Sequence, residues 1–263
     1  MKLSHAQESL AHDLVRGWHD QSYKVSLVEN QIPSNLDEAY GIQDRFSELI
    51  KHPQTGWKLG ATSKKMREID GHDRMVSGRL FEESTYFGAN QVLSSKRFIG
   101  SRVEAEFAFV LIESPPKKPD LTKSEVQYLL KLHPSIEIIN NRYDSESVPQ
   151  KSRSLMTIAD NGGGLGVVLG DPIENWYETN FAFHKIKMEI DNFPPRENFL
   201  GEMRCDPVQV VVDHINQLFL RKIELPKGSI ILTGACTVPA FFRRKAVIRA
   251  DFGHLGKLKL VFK

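Results

Sequence analysis

The chain has 263 residues, 40% of them apolar and 26% charged, enough for one large domain or two small ones around a sizeable core. A formal net charge of +2 gives no reason to invoke nucleic acid or an acidic membrane surface, and no stretch approaches the ~20 apolar residues of a membrane span. The amino terminus lacks signal-peptide and transit-peptide composition, so a soluble cytoplasmic chain with a small-molecule partner is expected.

Leu10, Leu14, Val15 and Trp18 fall at helical spacing within residues 4–20, with polar residues on the opposite face. A second helix is predicted over 36–51 from Ala39, Ile42, Phe46, Leu49 and Ile50, behind the candidate caps Ser34 and Asn35. Residues 56–63 read as a short strand entering a turn, and 64–69 as a helical turn or two. Residues 70–100 are polar, rich in Gly and Ser and weakly periodic, which predicts a mobile segment.

From residue 101 the pattern turns to strands, at 103–112, 135–140, 165–169, 184–191, 229–233, 246–251 and 257–262. Helices are predicted near 122–132, 152–159 and 206–221, the last with Val208, Val211, Val212, Ile215, Leu218 and Phe219 on one face. The outline is an α+β protein: residues 1–70 form a helical cap with a lead-in strand, and 71–263 form a β-rich domain.

The most informative residues are three glutamates. Residues two apart on a strand share a face, so Glu104 and Glu106 in Arg-Val-Glu-Ala-Glu-Phe project side by side, while Val103, Ala105 and Phe107 face the other way. The plain alternative is a solvated strand face, which is ordinary in antiparallel sheets. Glu137 argues against it, because Ile-Glu-Ile-Ile is an apolar run of the buried-strand kind. Partly buried carboxylates need a proton, a cation or several hydrogen bonds, and a hard ion such as Mg²⁺ or Mn²⁺ meets that need.

Other chemistries find less support. Cys205 and Cys236 form no Cys-x-x-Cys or zinc spacing and are expected to be reduced thiols. None of the nine histidines makes a metalloprotease pattern, and no nucleophile elbow is present. The glycine run 162–166 enters an apolar strand, where a dinucleotide site requires a helix. Lys58 by itself reads as a surface lysine. Asp160 and Asn161 serve either a helix stop or a turn whose N–H groups bind a carboxylate, and Thr237 either binds substrate or caps its own loop.

Six segments resemble, in order, the 2-oxopent-4-enoate hydratase and 4-oxalocrotonate decarboxylase branch of the fumarylacetoacetate hydrolase superfamily. They are Gly56-Trp57-Lys58-Leu59-Gly60-Ala61-Thr62-Ser63, Arg102-Val103-Glu104-Ala105-Glu106-Phe107-Ala108-Phe109, and Ile136-Glu137-Ile138-Ile139-Asn140-Asn141-Arg142. The others are Ala159-Asp160-Asn161, Thr233-Gly234-Ala235-Cys236-Thr237-Val238-Pro239 and Arg249-Ala250-Asp251-Phe252-Gly253-His254-Leu255-Gly256. The resemblance implies a mixed β-roll holding one Mg²⁺ or Mn²⁺ on Glu104, Glu106 and Glu137. It also implies Lys58 as general acid and base, and substrate contacts at Leu59, Gly60, Asp160 and Thr237.

The activity it implies is hydration of a short 2-hydroxy-2,4-dienoate to a 4-hydroxy-2-oxo acid in the breakdown of aromatic compounds. The alternatives are a 4-oxalocrotonate-type decarboxylase, an acylpyruvate-type C–C hydrolase or a catalytically silent partner subunit. A homo-oligomer, and a complex between hydratase and decarboxylase, are implied in the same way. Two positions depart from the family pattern: Ser77 where an acidic residue is usual before glycine, and Gly163 where a serine hydroxyl faces the substrate. His72, near Glu68 and Asp73, is the one histidine–acid grouping similar to the water-activating dyad of the C–C hydrolases, and otherwise a solvated loop residue.

Overall fold

Two helices lead the chain, and each is started by its sequence. In the computed structural model, which describes residues 2–263, Ser4 Oγ accepts from the Gln7 N–H while the Gln7 side chain accepts from the Ser4 N–H, a capping box that opens α1 (His5–His19). Met1, the first residue of the expected cap, lies outside the described residues. Asn35 caps α2 (Leu36–Ile50) by accepting from the Glu38 N–H. Leu10, Leu14 and Trp18 of α1 and Ile42, Phe46 and Ile50 of α2 enter one apolar core that runs on to Phe262.

A strand, β1 (Gln54–Gly60), follows, and Ser63 caps a short α3 (Lys64–Asp70). Next come β2 (Val76–Phe81), β3 (Thr85–Phe87), β4 (Asn90–Leu93) and the long β5 (Arg102–Leu111). The segment 70–100, expected to be mobile, thus holds three strands, and all six residues of β2 are buried. Polar composition concealed this because β2 is held by backbone approach: a Cβ on Gly78 would stand 2.0 Å from the Asn161 carbonyl oxygen, so only glycine fits.

The helix expected over 122–132 is also corrected. Only α4 (Lys123–Val126) is α-helical there, and β6 (Leu130–Ile139) begins soon after, paired with β5 from Leu111↔Leu130 to Arg102↔Ile139. Strand pairing outweighs the local helical spacing. Pro134, which would argue against an interior strand, is accommodated because the His133 Nδ1–H donates to the Gly170 carbonyl at 2.8 Å, supplying a donor beside the N–H that proline lacks.

The remaining elements are α5 (Arg153–Ala159), β7 (Gly164–Leu169), β8 (Lys187–Ile190), α6 (Pro207–Leu220), β9 (Ile230–Ala235), β10 (Ala240–Phe241), β11 (Ala246–Asp251) and β12 (Lys257–Phe262). The larger sheet runs β2-β1-β9-β5-β6-β7-β3, with β10 attached to β5, and the smaller runs β4-β12-β11-β8. Both are mixed: β1–β9, β3–β7 and β4–β12 are parallel and the other pairs antiparallel.

The fold is α+β, as expected, and its larger sheet curls on itself. Leu80, Ala108, Val167, Leu169, Ile230 and Leu232, from four different strands, meet in a second apolar cluster on the concave face. By alternation Glu104 and Glu106 share that face with Ala108, and Lys58 shares it with its parallel partner Leu232. No helix among the described residues is long and apolar enough to cross a membrane.

Candidate metal centre and active site

The strand register creates the site. Glu104 on β5 pairs directly with Glu137 on β6, and Glu106 with Ser135. One carboxylate oxygen from each of Glu104, Glu106 and Glu137 lies within 4.8 Å of the other two. The three side chains are only 5%, 0% and 0% exposed, respectively. The solvated-strand alternative is thereby excluded.

Such a cluster is electrostatically expensive. Burial, helped by Glu137 and Glu104, holds the Glu106 carboxyl well above the usual carboxylate range. Burial likewise pushes Glu137 up to about 8, with Lys58 opposing the rise and Glu104 adding to it. Glu106 Oε2 accepts the Gly234 N–H at 3.0 Å, but Glu106 Oε1 and both Glu137 oxygens have no hydrogen-bond partner. Buried acceptors without donors, arranged as a set of oxygens, fit a hard divalent cation.

Lys58 reaches the same place from β1. Its Nζ lies 3.4 Å from Glu137 Oε1 and donates to the Gly162 carbonyl at 2.9 Å, and the residue is 4% exposed. The surface-lysine alternative therefore fails. Burial alone lowers the Lys58 pKa, but Glu137, Glu104 and Glu106 together outweigh it and the net direction is upward.

The other expected site residues divide. Gly60 ends β1, and a Cβ there would lie 3.8 Å from Lys58 Nζ. Leu59 points its side chain away, into the main core. Asp160 is buried in an ion pair with Arg142: Oδ1 accepts from the guanidinium at 3.0 Å and Oδ2 from the Arg142 N–H at 3.1 Å. Thr237 Oγ1 accepts the N–H of Ala105, the residue between two of the glutamates, at 3.1 Å. Leu59, Asp160 and Thr237 thus support the site's framework in this arrangement, with Gly60 at its edge.

The two departures from the family pattern also resolve. Ser77 pairs with Leu59, whereas its neighbour Gly78 pairs with Lys58, so the Ser77 side chain faces away from the lysine. Gly163 has φ +69 and its carbonyl accepts the Asn140 N–H. His72 Nδ1 lies 2.9 Å from Ser154 Oγ, while Glu68 pairs with Lys65 and Asp73 with Arg74. Cys205 and Cys236 are both free thiols.

Sequence reasoning missed the parts that hold the site. Arg142 also donates to the Gly164 carbonyl, and the Asn161 carboxamide bonds both backbone groups of Arg79. Ser135 Oγ donates to the Glu106 carbonyl at 2.9 Å. Arg142 stands at the end of a segment that resembles the family, but nothing in the sequence pointed to Asp160 and Gly164 as its partners.

No protein-family model matches the chain. It is 27% identical over 252 residues to the 2-oxo-hept-4-ene-1,7-dioate hydratase of Escherichia coli, covering 92% of each protein. It is 25% identical over 217 residues to a 4-oxalocrotonate decarboxylase of a Pseudomonas species, covering 78% of this chain and 77% of that one. Among solved structures, the Pseudomonas putida G7 4-oxalocrotonate decarboxylase complexed with magnesium and adipate superposes with a TM-score of 0.84 at 21% identity, covering 100% of this chain and 99% of that one. The Pseudomonas aeruginosa fumarylpyruvate hydrolase with Mn²⁺ and pyruvate gives 0.54 at 12% identity, over 80% of this chain and 89% of that one. The expected resemblance and the fumarylacetoacetate hydrolase fold are both found.

Proposed function

We propose that the chain is a metal-dependent hydro-lyase that adds water to a short 2-hydroxy-2,4-dienoate, giving a 4-hydroxy-2-oxo acid in aromatic catabolism. The observation that carries this reading is the sealed cluster of Glu104, Glu106 and Glu137 with Lys58 Nζ 3.4 Å from Glu137. The likeness to a hydratase over 92% of both chains supports the same class.

Glu104, Glu106 and Glu137 would hold the ion. Bound there, Mg²⁺ or Mn²⁺ supplies Lewis acidity toward the carboxylate and 2-oxygen of the substrate. Lys58 is the proton carrier. For 2-hydroxypenta-2,4-dienoate, the 2-hydroxyl proton is lost and a proton is placed on C5. Water then adds across the resulting C3=C4 bond, its oxygen on C4 and a proton on C3, giving 4-hydroxy-2-oxopentanoate with no other reactant. The Nζ of Lys58 takes and returns these protons. Gly60 and the main chain of Leu59 border the substrate at the end of β1, and burial excludes bulk water from the dienol.

The likeness to a 4-oxalocrotonate decarboxylase favours a second reading, in which the same electron sink accepts the pair left by departing CO₂. Homo-oligomeric assembly, association with a hydratase or decarboxylase chain, a cytoplasmic location and the division into 1–70 and 71–263 belong to the proposal and rest on the family resemblance and sequence pattern.

The test adds metal-stripped protein to freshly generated 2-hydroxypenta-2,4-dienoate with and without Mg²⁺. Mg²⁺-dependent loss of the dienol absorbance, with a product heavier by one water, is expected, and Lys58→Met should lower the rate about 10²–10⁴-fold. Release of CO₂ from 4-oxalocrotonate, with no hydration of the dienoate, would replace this reading by the second.

A further inference from the structure

Lysine carries a long flexible stem, so a lysine that must move protons at defined atoms needs something to hold its end. The obvious anchor, Glu137, is itself assigned to the ion. A second anchor is built into the turn between α5 and β7, where Asn161 and Gly162 adopt left-handed backbone in succession, with φ +52 and +63.

Each residue of that turn has a separate task. Asn161 Oδ1 accepts the Arg79 N–H at 2.6 Å and Nδ2 donates to the Arg79 carbonyl at 2.9 Å, a two-bond clamp on β2 next to Gly78, the strand partner of Lys58. Gly162 then turns its carbonyl onto Lys58 Nζ at 2.9 Å. A Cβ on Gly162 would stand 2.9 Å from Lys58 Cδ, and one on Gly164 3.3 Å from Cγ. The lysine stem therefore packs directly along backbone that carries no side chain at either glycine.

We propose that Asn161 and Gly162 are positioning residues for Lys58: the Asn161 clamp fixes the turn to β2, and the Gly162 carbonyl holds Nζ in place beside the glutamate cluster. A neutral carbonyl does this without adding a fourth negative charge. The Arg142–Asp160 ion pair secures the start of the turn and does not touch Lys58, so the clamp and the carbonyl supply what that pair lacks. The proposal rests on the reading of Lys58 as the proton carrier.

The test compares Asn161→Ala and Gly162→Ala with the unsubstituted protein and with Gly228→Ala, which also has a positive φ (+87) but has no neighbour within 4 Å of an added Cβ. Three quantities are measured: steady-state kinetics on the dienoate, Mn²⁺ affinity by electron paramagnetic resonance, and the rate of reductive methylation of Lys58 by peptide mass spectrometry. Both site variants should lower kcat by about tenfold or more, leaving KM and the Mn²⁺ Kd within about threefold, because positioning acts on the reacting state and not on binding. Both should also change the Lys58 methylation rate by about fivefold or more, while Gly228→Ala changes none of these. If Gly162→Ala does not fold, Asn161→Ala decides alone. An unaltered Lys58 methylation rate in the folded site variants overturns the proposal whatever the activity, whereas absence of turnover in the unsubstituted protein overturns the reaction and leaves the labelling comparison to judge the positioning.

Discussion

Glu104 and Glu137 face each other directly across the β5–β6 ladder, both nearly fully buried. Like charges in cross-strand partners destabilise a sheet, and burial multiplies the cost. A sequence shaped for stability alone would place an apolar pair there, as it does one residue on either side, where Val103 pairs with Ile138 and Ala105 with Ile136. Three buried glutamates that cost stability are the arrangement expected of a cation site.

His214 gives a prediction away from the site. It is fully buried on α6 with its ring edge-on to Trp57, neither ring nitrogen has a hydrogen-bond partner, and burial pushes its pKa down to about 3. Unfolded histidine titrates near 6.5, so below that pH the unfolded chain gains a proton that the folded chain refuses until about pH 3. The stability held at neutral pH is therefore lost as pH falls through this window, by up to about 1.4 kcal/mol per pH unit from this residue. His214→Leu should flatten the loss between pH 6.5 and 5 by about 2 kcal/mol in urea unfolding. Parallel pH profiles for the two proteins would refute the assignment.

The Arg142–Asp160 pair is sealed from solvent, and each partner bonds more than once. Removing either leaves a buried charge uncompensated, which costs about 3–5 kcal/mol. Asp160→Ala should therefore lower the urea midpoint sharply in metal-free protein. A direct substrate ligand would instead raise KM with little change in stability, and that pattern would return Asp160 to the substrate.

Thr237 offers a finer discrimination. Thr237→Val strands the Ala105 N–H between two of the glutamates, at about 1–3 kcal/mol, and Thr237→Ser should restore most of that. If valine instead raises KM with the melting temperature intact, the hydroxyl serves the substrate and the framework role is wrong.

Much of the fold was legible because helices and strands wrote their periods plainly: Leu10, Leu14 and Trp18 on α1, and the alternation through Glu104 and Glu106 on β5. The glutamate cluster was legible for a related reason, since a charged residue inside Ile136–Ile139 contradicts its surroundings. What escaped depends on contacts remote in sequence. β2 is a strand because Asn161 clamps Arg79 some eighty residues away, and β6 starts early because β5 pairs with it. The pKa direction at Lys58 likewise needed the distances to three carboxylates, which no spacing in the chain reveals.

Under the proposed function, Glu104, Glu106 and Glu137 form one cation site. Mn²⁺ titration of metal-stripped protein, read by electron paramagnetic resonance, tests it most directly. One ion per chain is expected, and Glu106→Gln or Glu137→Gln should weaken its binding by about tenfold or more, a loss of at least ~1.4 kcal/mol, while the metal-free melting temperature holds or rises because a buried ionisable group has gone. Undiminished Mn²⁺ affinity in both variants would contradict the account.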